Sequence, residues 1–141
     1  MGTLKVPVTQ RDHMRGAASA PVTLVEYGDY ECPGCGAAYP IVNLVLEHFG
    51  PRLRFVFRHF PLAQVHPNAE PAAESAEFAG AHGLFWEMHD GIYENQDRLS
   101  PQLLCVLAKA LGLSERELRD ALASDMPPKS KATFSAESAA A

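Results

Sequence analysis

The sequence lacks a second CxxC motif, a cluster of basic residues and a long apolar run, and each absence excludes a class of protein. One CxxC without a histidine pair at zinc-finger spacing offers too few ligands for a four-ligand structural zinc site. A net charge of −5 with scattered Lys and Arg excludes a nucleic-acid surface. Residues 1–16 are polar and contain no apolar core or cleavage pattern. We therefore expect no signal peptide, no membrane partner, no cofactor or metal, and a cytoplasmic location.

The length and composition predict one domain followed by a tail. A chain of 141 residues with 47% hydrophobic residues buries about two-thirds of its unfolded surface on folding. Periodic patterns continue to residue 124, and beyond it the sequence is rich in Pro, Ser and Ala. The predicted boundaries are 1–124 for an α/β domain and 125–141 for the tail.

The motif Cys32-Pro33-Gly34-Cys35 carries the chemistry. It follows an apolar run directly and precedes a helical pattern. At a helix start, Cys32 lies near unpaired backbone N–H groups and the positive end of the helix dipole, which favour a thiolate. Cys35 lies one turn further on, within reach to form a disulfide or to resolve a mixed one. Pro33 fits the first helical position because it has no N–H to leave unpaired.

Apolar periodicity predicts the remaining elements. Residues 22–28 and 53–58 read as strands, the second with one apolar face, and residues 33–49 read as a helix kinked at Pro40. Together they form a β-α-β unit with parallel strands. Further helices are predicted by spacing and capping signals. Their spans are 69–82, 84–94 and 101–111, with a last helix after the capping box at 114–117, and a short strand is predicted at 4–8.

This order of elements, with its motifs, resembles the DsbA-like branch of the thioredoxin superfamily. The matching motifs cover roughly residues 20–123 and read VEYGDYECPGCG, FRHFPL, HPNAEPA, FWEMHD and ENQ. The resemblance implies a thioredoxin-like α/β fold with a helical insertion. It makes Cys32 the nucleophile and Cys35 the resolving thiol of dithiol–disulfide exchange. It also makes Glu26 the buried acid beneath the site, whose raised pKa would suit a proton shuttle for Cys35.

Other residues receive weaker or structural roles. Tyr30 and His59 lie in matching motifs and are candidates for positions near the site. Cys105 lies in an apolar helical stretch and is expected to be a buried, inert thiol. The expected partners are protein or low-molecular-weight thiols and disulfides, and the motif leaves oxidation, reduction and isomerisation open.

The second half of the resembled fold has no match in this sequence. That half contains a cis-proline loop, two strands and a closing helix, and no strand pattern remains after Ser124. A C-terminally truncated domain would expose helix faces and one edge of its central strand, and would aggregate or form a homodimer by swapping or edge pairing. With codons chosen for residues 125–141, a shifted frame reads HAAKVKGDFLSGVRSGV, which resembles the family's segment before that loop. We hypothesise a frameshifted tail from about Met126.

Two alternatives remain beside catalysis by a dithiol. The chain is either an enzyme or a catalytically impaired remnant or swapped dimer whose CxxC binds metal or is inert. A glutathione-dependent isomerase of the same fold fits less well, because those relatives usually replace the first cysteine by serine and Cys32 is present.

Overall fold

A three-stranded sheet lies at the centre of the structure, a computed structural model that describes residues 3–124. The strands are β1 (His13–Gly16), β2 (Val22–Gly28) and β3 (Leu53–His59), in the order β1-β3-β2. β2 runs parallel to β3, and β1 runs antiparallel to it. The predicted parallel β-α-β unit is thus confirmed. The predicted tail, 125–141, lies outside the described residues.

Helices account for most of the rest of the described chain. They are α1 (Pro33–Phe49), α2 (Ala69–Gly80), α3 (Phe85–Glu94), α4 (Pro101–Ala110) and α5 (Glu115–Ala123), with 3-10 turns at Gly50–Arg52 and Gln96–Arg98. These bounds agree with the predicted helices to within two residues. The hydroxyls of Ser100 and Ser114 accept the backbone N–H groups of Leu103 and Glu117 at 3.1 and 3.2 Å, so both serines act as N-caps. α1 continues through Pro40 as one helix.

The strand predicted at residues 4–8 is wrong, and the first strand is β1. The carbonyls of Val6 and Pro7 accept hydrogen bonds from the Arg58 guanidinium at 2.8 and 3.2 Å. A side chain therefore uses the acceptors that a strand ladder would need. The chain pairs with β3 only from His13 onward.

The core lies between β3 and the helices α2 to α5. β3 is buried on both faces, since Phe57 on one face is 1% exposed and Arg58 on the other is 3% exposed. The prediction of one apolar face missed the second because the N-terminal segment covers Arg58. The largest fully buried side chains are Tyr30, Phe55, Phe57, Met88, Ile92, Leu104 and Leu118. Cys105 is buried as predicted.

Among the described residues, the edge of the sheet beside α1 is open and apolar. α1 contains no fully buried residue, and β2 lacks a partner on its outer edge among the described residues. We call this surface the β2–α1 face, defined by the exposed side chains of Val22, Leu24, Ile41, Leu44 and Phe49. A groove of about 410 Å³ runs along it. Within residues 3–124, α1 therefore exposes apolar side chains, and the open edge belongs to β2 because β1 pairs with the other edge of the central strand β3.

Candidate active site

Cys32 and Cys35 lie as free thiols at the N-terminus of α1. Cys32 is the N-cap with an extended backbone (φ −69°, ψ 123°), and Pro33 follows in the first turn. The Cys32 N–H donates to the Asp29 carbonyl at 3.1 Å, and its own carbonyl accepts the Gly36 N–H at 3.0 Å. Both thiols are partly exposed. The loop and the helix start thus hold two sulfur atoms one turn apart at the surface.

Cys35 is partly buried. This burial raises the pKa of Cys35 to about 11, against a hydrogen bond from the Asp29 backbone and with smaller contributions from Cys32 and Glu26. Cys35 is therefore protonated at neutral pH. Burial also raises the pKa of Glu26, which is the predicted direction. The influence of its charge on Cys35 places this carboxyl nearby, whereas a proton-shuttle role stays a prediction.

Tyr30 and His59 have backbones beside the site and side chains in the core. His59 pairs with Gly28 at the ends of the two parallel strands. The Tyr30 hydroxyl contacts His89 Nδ1 at 2.9 Å, and His59 Nε2 contacts Glu77 Oε1 at 2.9 Å. Tyr30 is 1% and His59 is 2% exposed. These contacts are structural, and a role for either side chain in exchange stays a prediction.

Gln96 holds the active-site loop, and its role was missed by the sequence reasoning. Its Nε2 donates to the carbonyls of Tyr30 and Cys32 at 2.9 and 2.7 Å. A Cβ at Gly36 would lie 2.0 Å from Gln96 Oε1, so glycine there leaves room for the amide. A Cβ at Gly34 would lie 3.8 Å from the nearest atom, the Cys32 Sγ, which is an ordinary contact. The only sequence signal for Gln96 was its place in the motif ENQ.

Asp29 joins the active-site loop to the loop after β3. It is 4% exposed, and its Oδ1 accepts the Glu31 N–H at 2.8 Å. Its Oδ2 accepts the Leu62 N–H at 2.9 Å and contacts His66 Nδ1 at 2.8 Å. This buried carboxylate therefore fixes the residues that lead into Cys32 against a second loop.

A cluster of metal-ligand type contains neither cysteine of the motif. His13, His59 and Glu77 come from β1, β3 and α2, and their ligand atoms lie within 4.8 Å of one another. The prediction of no metal depended on the spacing between the histidines and the CxxC. It did not include a site formed by His13.

The chain belongs to the thioredoxin family, whose model matches residues 8–140. The structure is similar to a thioredoxin-like oxidoreductase from Silicibacter pomeroyi, with a TM-score of 0.77, 23% identity, and 90% of this chain and 70% of that chain covered. It is also similar to oxidised BdbD from Bacillus subtilis, with a TM-score of 0.75, 25% identity, and coverages of 89% and 71%. The thiol-disulfide exchange protein α-DsbA2 from Wolbachia pipientis matches with a TM-score of 0.70, 18% identity, and coverages of 86% and 64%. The predicted DsbA-like α/β fold is confirmed.

The curated relatives are longer proteins. The chain is 51% identical over 121 residues to the Na(+)/H(+) antiporter NhaA 1 of Salinispora arenicola, which covers 85% of this chain but only 18% of that protein. It is 47% identical over 112 residues to NhaA 1 of a Mycobacterium species, again across 18% of that protein. The chain thus spans about a fifth of these relatives. Every helix within residues 3–124 is too short or too polar to cross a membrane.

Proposed function

We propose that this chain catalyses thiol–disulfide exchange through Cys32 and Cys35. The observation that carries the proposal is the pair of free, partly exposed thiols at the N-terminus of α1. A thiolate is the nucleophile of exchange, and the partly exposed Cys32 can meet a substrate disulfide. Membership of the thioredoxin family and the likeness to a thiol-disulfide exchange protein support the assignment.

The proposed reaction transfers two electrons. In the reducing direction, the Cys32 thiolate attacks one sulfur of a substrate disulfide, and the other sulfur leaves as a thiolate that takes up a proton. Cys35 then loses its proton and attacks Cys32. The Cys32–Cys35 disulfide forms while the second substrate sulfur leaves as a thiol. Oxidation of a substrate dithiol is the same sequence reversed.

Glu26 is the proposed proton acceptor for Cys35. A thiol with a pKa of about 11 attacks slowly unless its proton has a destination. Glu26 lies on the strand that leads to the motif, and burial raises the pKa of its carboxyl. A carboxylate with a raised pKa is a better proton acceptor than an exposed one at the same pH.

The proposed substrates are thiols and disulfides of proteins or of low-molecular-weight compounds, met in the cytoplasm. The chain is also proposed to form a homodimer by edge pairing or segment swapping. The open edge of β2 and the apolar side chains of the β2–α1 face support this association.

Exchange is tested with insulin as the disulfide substrate and a reduced model peptide as the dithiol substrate. Wild type should accelerate at least one reaction, and Cys32→Ser should abolish the acceleration. Cys35→Ser should accumulate a mixed disulfide, seen by non-reducing electrophoresis and mass spectrometry. Cys105→Ser is the matched control because that thiol is buried, and it should retain activity. Equal rates for wild type and Cys32→Ser in both directions would sink the proposal.

The second candidate is a catalytically impaired dimer whose CxxC binds metal or is inert. The observation in its favour is that, within the described part of the chain, α1 has no fully buried residue and exposes Ile41 and Leu44. Sedimentation measures the mass of the assembly, and the exchange assays measure its activity. A dimer without exchange in either direction, with metal lost on Cys32→Ser, would favour this candidate.

A further inference from the structure

Three side chains from separate elements converge on one oxygen atom. His13 Nε2 lies 2.7 Å and His59 Nε2 lies 2.9 Å from Glu77 Oε1. His13 belongs to β1, His59 to the C-terminal end of β3 and Glu77 to α2. The cluster therefore joins the first strand, the central strand and the helical insertion at one point.

These donors are the ones that zinc prefers. Two imidazole nitrogens and one carboxylate oxygen form a common three-ligand set, and water completes the tetrahedron. Metal–ligand bonds of about 2.0–2.1 Å place neighbouring ligand atoms about 3.3 Å apart. The present separations of 2.7 and 2.9 Å are shorter. Each of these two pairs opens by about half an ångström on coordination, and all three ligand atoms already lie within 4.8 Å of one another.

Access and charge also suit a cation. The side chain of His59 is 3% exposed, whereas those of His13 and Glu77 are 26% and 25% exposed, so an ion can enter from the surface. Burial tends to raise the pKa of Glu77, but hydrogen bonds from His13 and His59 outweigh it and hold that pKa at about 2. Glu77 is therefore anionic across the physiological range. The ring of Phe85 stacks on His13 with centroids 3.5 Å apart, which restricts the orientation of that imidazole.

We propose that His13, His59 and Glu77 form a three-ligand site for Zn²⁺, with a water molecule in the fourth position. Each imidazole coordinates through the Nε2 lone pair, so the ring proton resides on Nδ1 when the metal is bound. The ion links β1 and α2 to β3. It is separate from the CxxC, and its binding stabilises the fold without taking part in exchange.

The test uses the full chain with Cys32 and Cys35 oxidised to a disulfide, because free thiolates also bind zinc. Isothermal titration with ZnCl₂ should show one site per chain, and Zn²⁺ should raise the thermal midpoint. Co²⁺ should give the visible absorption of a four-coordinate ion without a sulfur-to-metal band. Glu77→Gln and His13→Asn should each weaken Zn²⁺ binding by about tenfold or more. His82→Asn is the matched control, since His82 is exposed on the same insertion.

The outcomes separate metal binding from a cluster held only by hydrogen bonds. Loss of affinity in both variants but not in His82→Asn supports the site. Absence of heat and of a thermal shift in the oxidised wild type overturns it, as does unchanged affinity in His13→Asn. If Glu77→Gln fails to fold, His13→Asn decides alone, because His13 lies at the surface end of the cluster. X-ray absorption of the zinc complex should show two imidazoles and no sulfur, and sulfur ligands would overturn the proposal.

Discussion

Gly36 and Gln96 should behave as one unit in a double-mutant cycle. Gln96→Ala removes two hydrogen bonds, to the carbonyls of Tyr30 and Cys32. At about 0.5–1.5 kcal/mol each, their loss should lower the free energy of unfolding by about 1–3 kcal/mol. The lower half of that range is expected, because the site is partly exposed and the Cys32 carbonyl keeps the Gly36 N–H as a donor.

The effect of Gly36→Ala on the free energy of unfolding should be unfavourable when residue 96 is Gln and favourable when it is Ala. In wild type, its Cβ would lie 2.0 Å from Gln96 Oε1. The flexible amide moves away and loses the same two hydrogen bonds, which outweighs the gain of up to about 1 kcal/mol in helix propensity. In Gln96→Ala, that obstacle is absent, so Gly36→Ala should stabilise by about 0.5–1 kcal/mol. The coupling energy should therefore be about 1–3 kcal/mol.

Urea unfolding of the four proteins, with constant m-values, measures this coupling. Gly34→Ala is the matched control in both backgrounds, because a Cβ there meets only an ordinary contact at 3.8 Å. Its effect should add to that of Gln96→Ala within about 0.5 kcal/mol. If Gly36→Ala also proves additive, Gln96 does not occupy the space above Gly36, and the reasoning is refuted.

Three further predictions concern charge and association. Burial raises the pKa of Glu26, so ionisation penalises the folded state above that pKa, and Glu26→Gln should raise the free energy of unfolding near about pH 8 but not near about pH 3. The pKa of Glu77 is lowered to about 2, so its stabilisation is full above the unfolded-state value and is lost as the pH falls. Between about pH 5 and pH 2, wild type should therefore lose more stability than Glu77→Gln in acid titrations, and parallel losses would contradict the cluster. Leu44 is 65% exposed, so Leu44→Glu should dissociate a dimer formed through the β2–α1 face without unfolding the chain. A sedimentation profile that Leu44→Glu leaves unchanged would exclude that face as the dimer interface.

Local sequence signals were sufficient for most elements. The apolar run of β2 lies between Pro21 and Gly28, and α1 begins where Pro33 follows the N-cap residue Cys32. Ser100 and Ser114 marked two helix starts with their own hydroxyls. In each case the residues that decide the structure lie within a few positions of one another. For this reason the order of strands and helices, and the position of the CxxC, were predictable.

Long-range contacts were not predictable from the same signals. β1 has four residues and no alternating pattern, and it exists because it pairs with β3. Gln96 and Cys32 are 64 positions apart, as are His13 and Glu77. No local periodicity encodes such pairs, since they depend on how α2 and α3 pack against the sheet. The motif ENQ contains the amide of Gln96, but the motif alone does not identify the backbone carbonyls to which this amide donates.

The position of α1 explains why the site depends on these distant contacts. A helix that is buried along one face is held by apolar packing. α1 has no fully buried residue. Only part of its surface, which includes Tyr39 and Leu46, contacts the core. Its N-terminal end is instead fixed by hydrogen bonds to the loop that carries Cys32, from Gln96 on one side and through Asp29 on the other. The position of the loop that carries Cys32 therefore depends on Gln96, which follows α3, and on Asp29, which is bonded to the loop after β3. A partner that covers the β2–α1 face would add packing to this helix without altering those bonds, so association and exchange are physically separable.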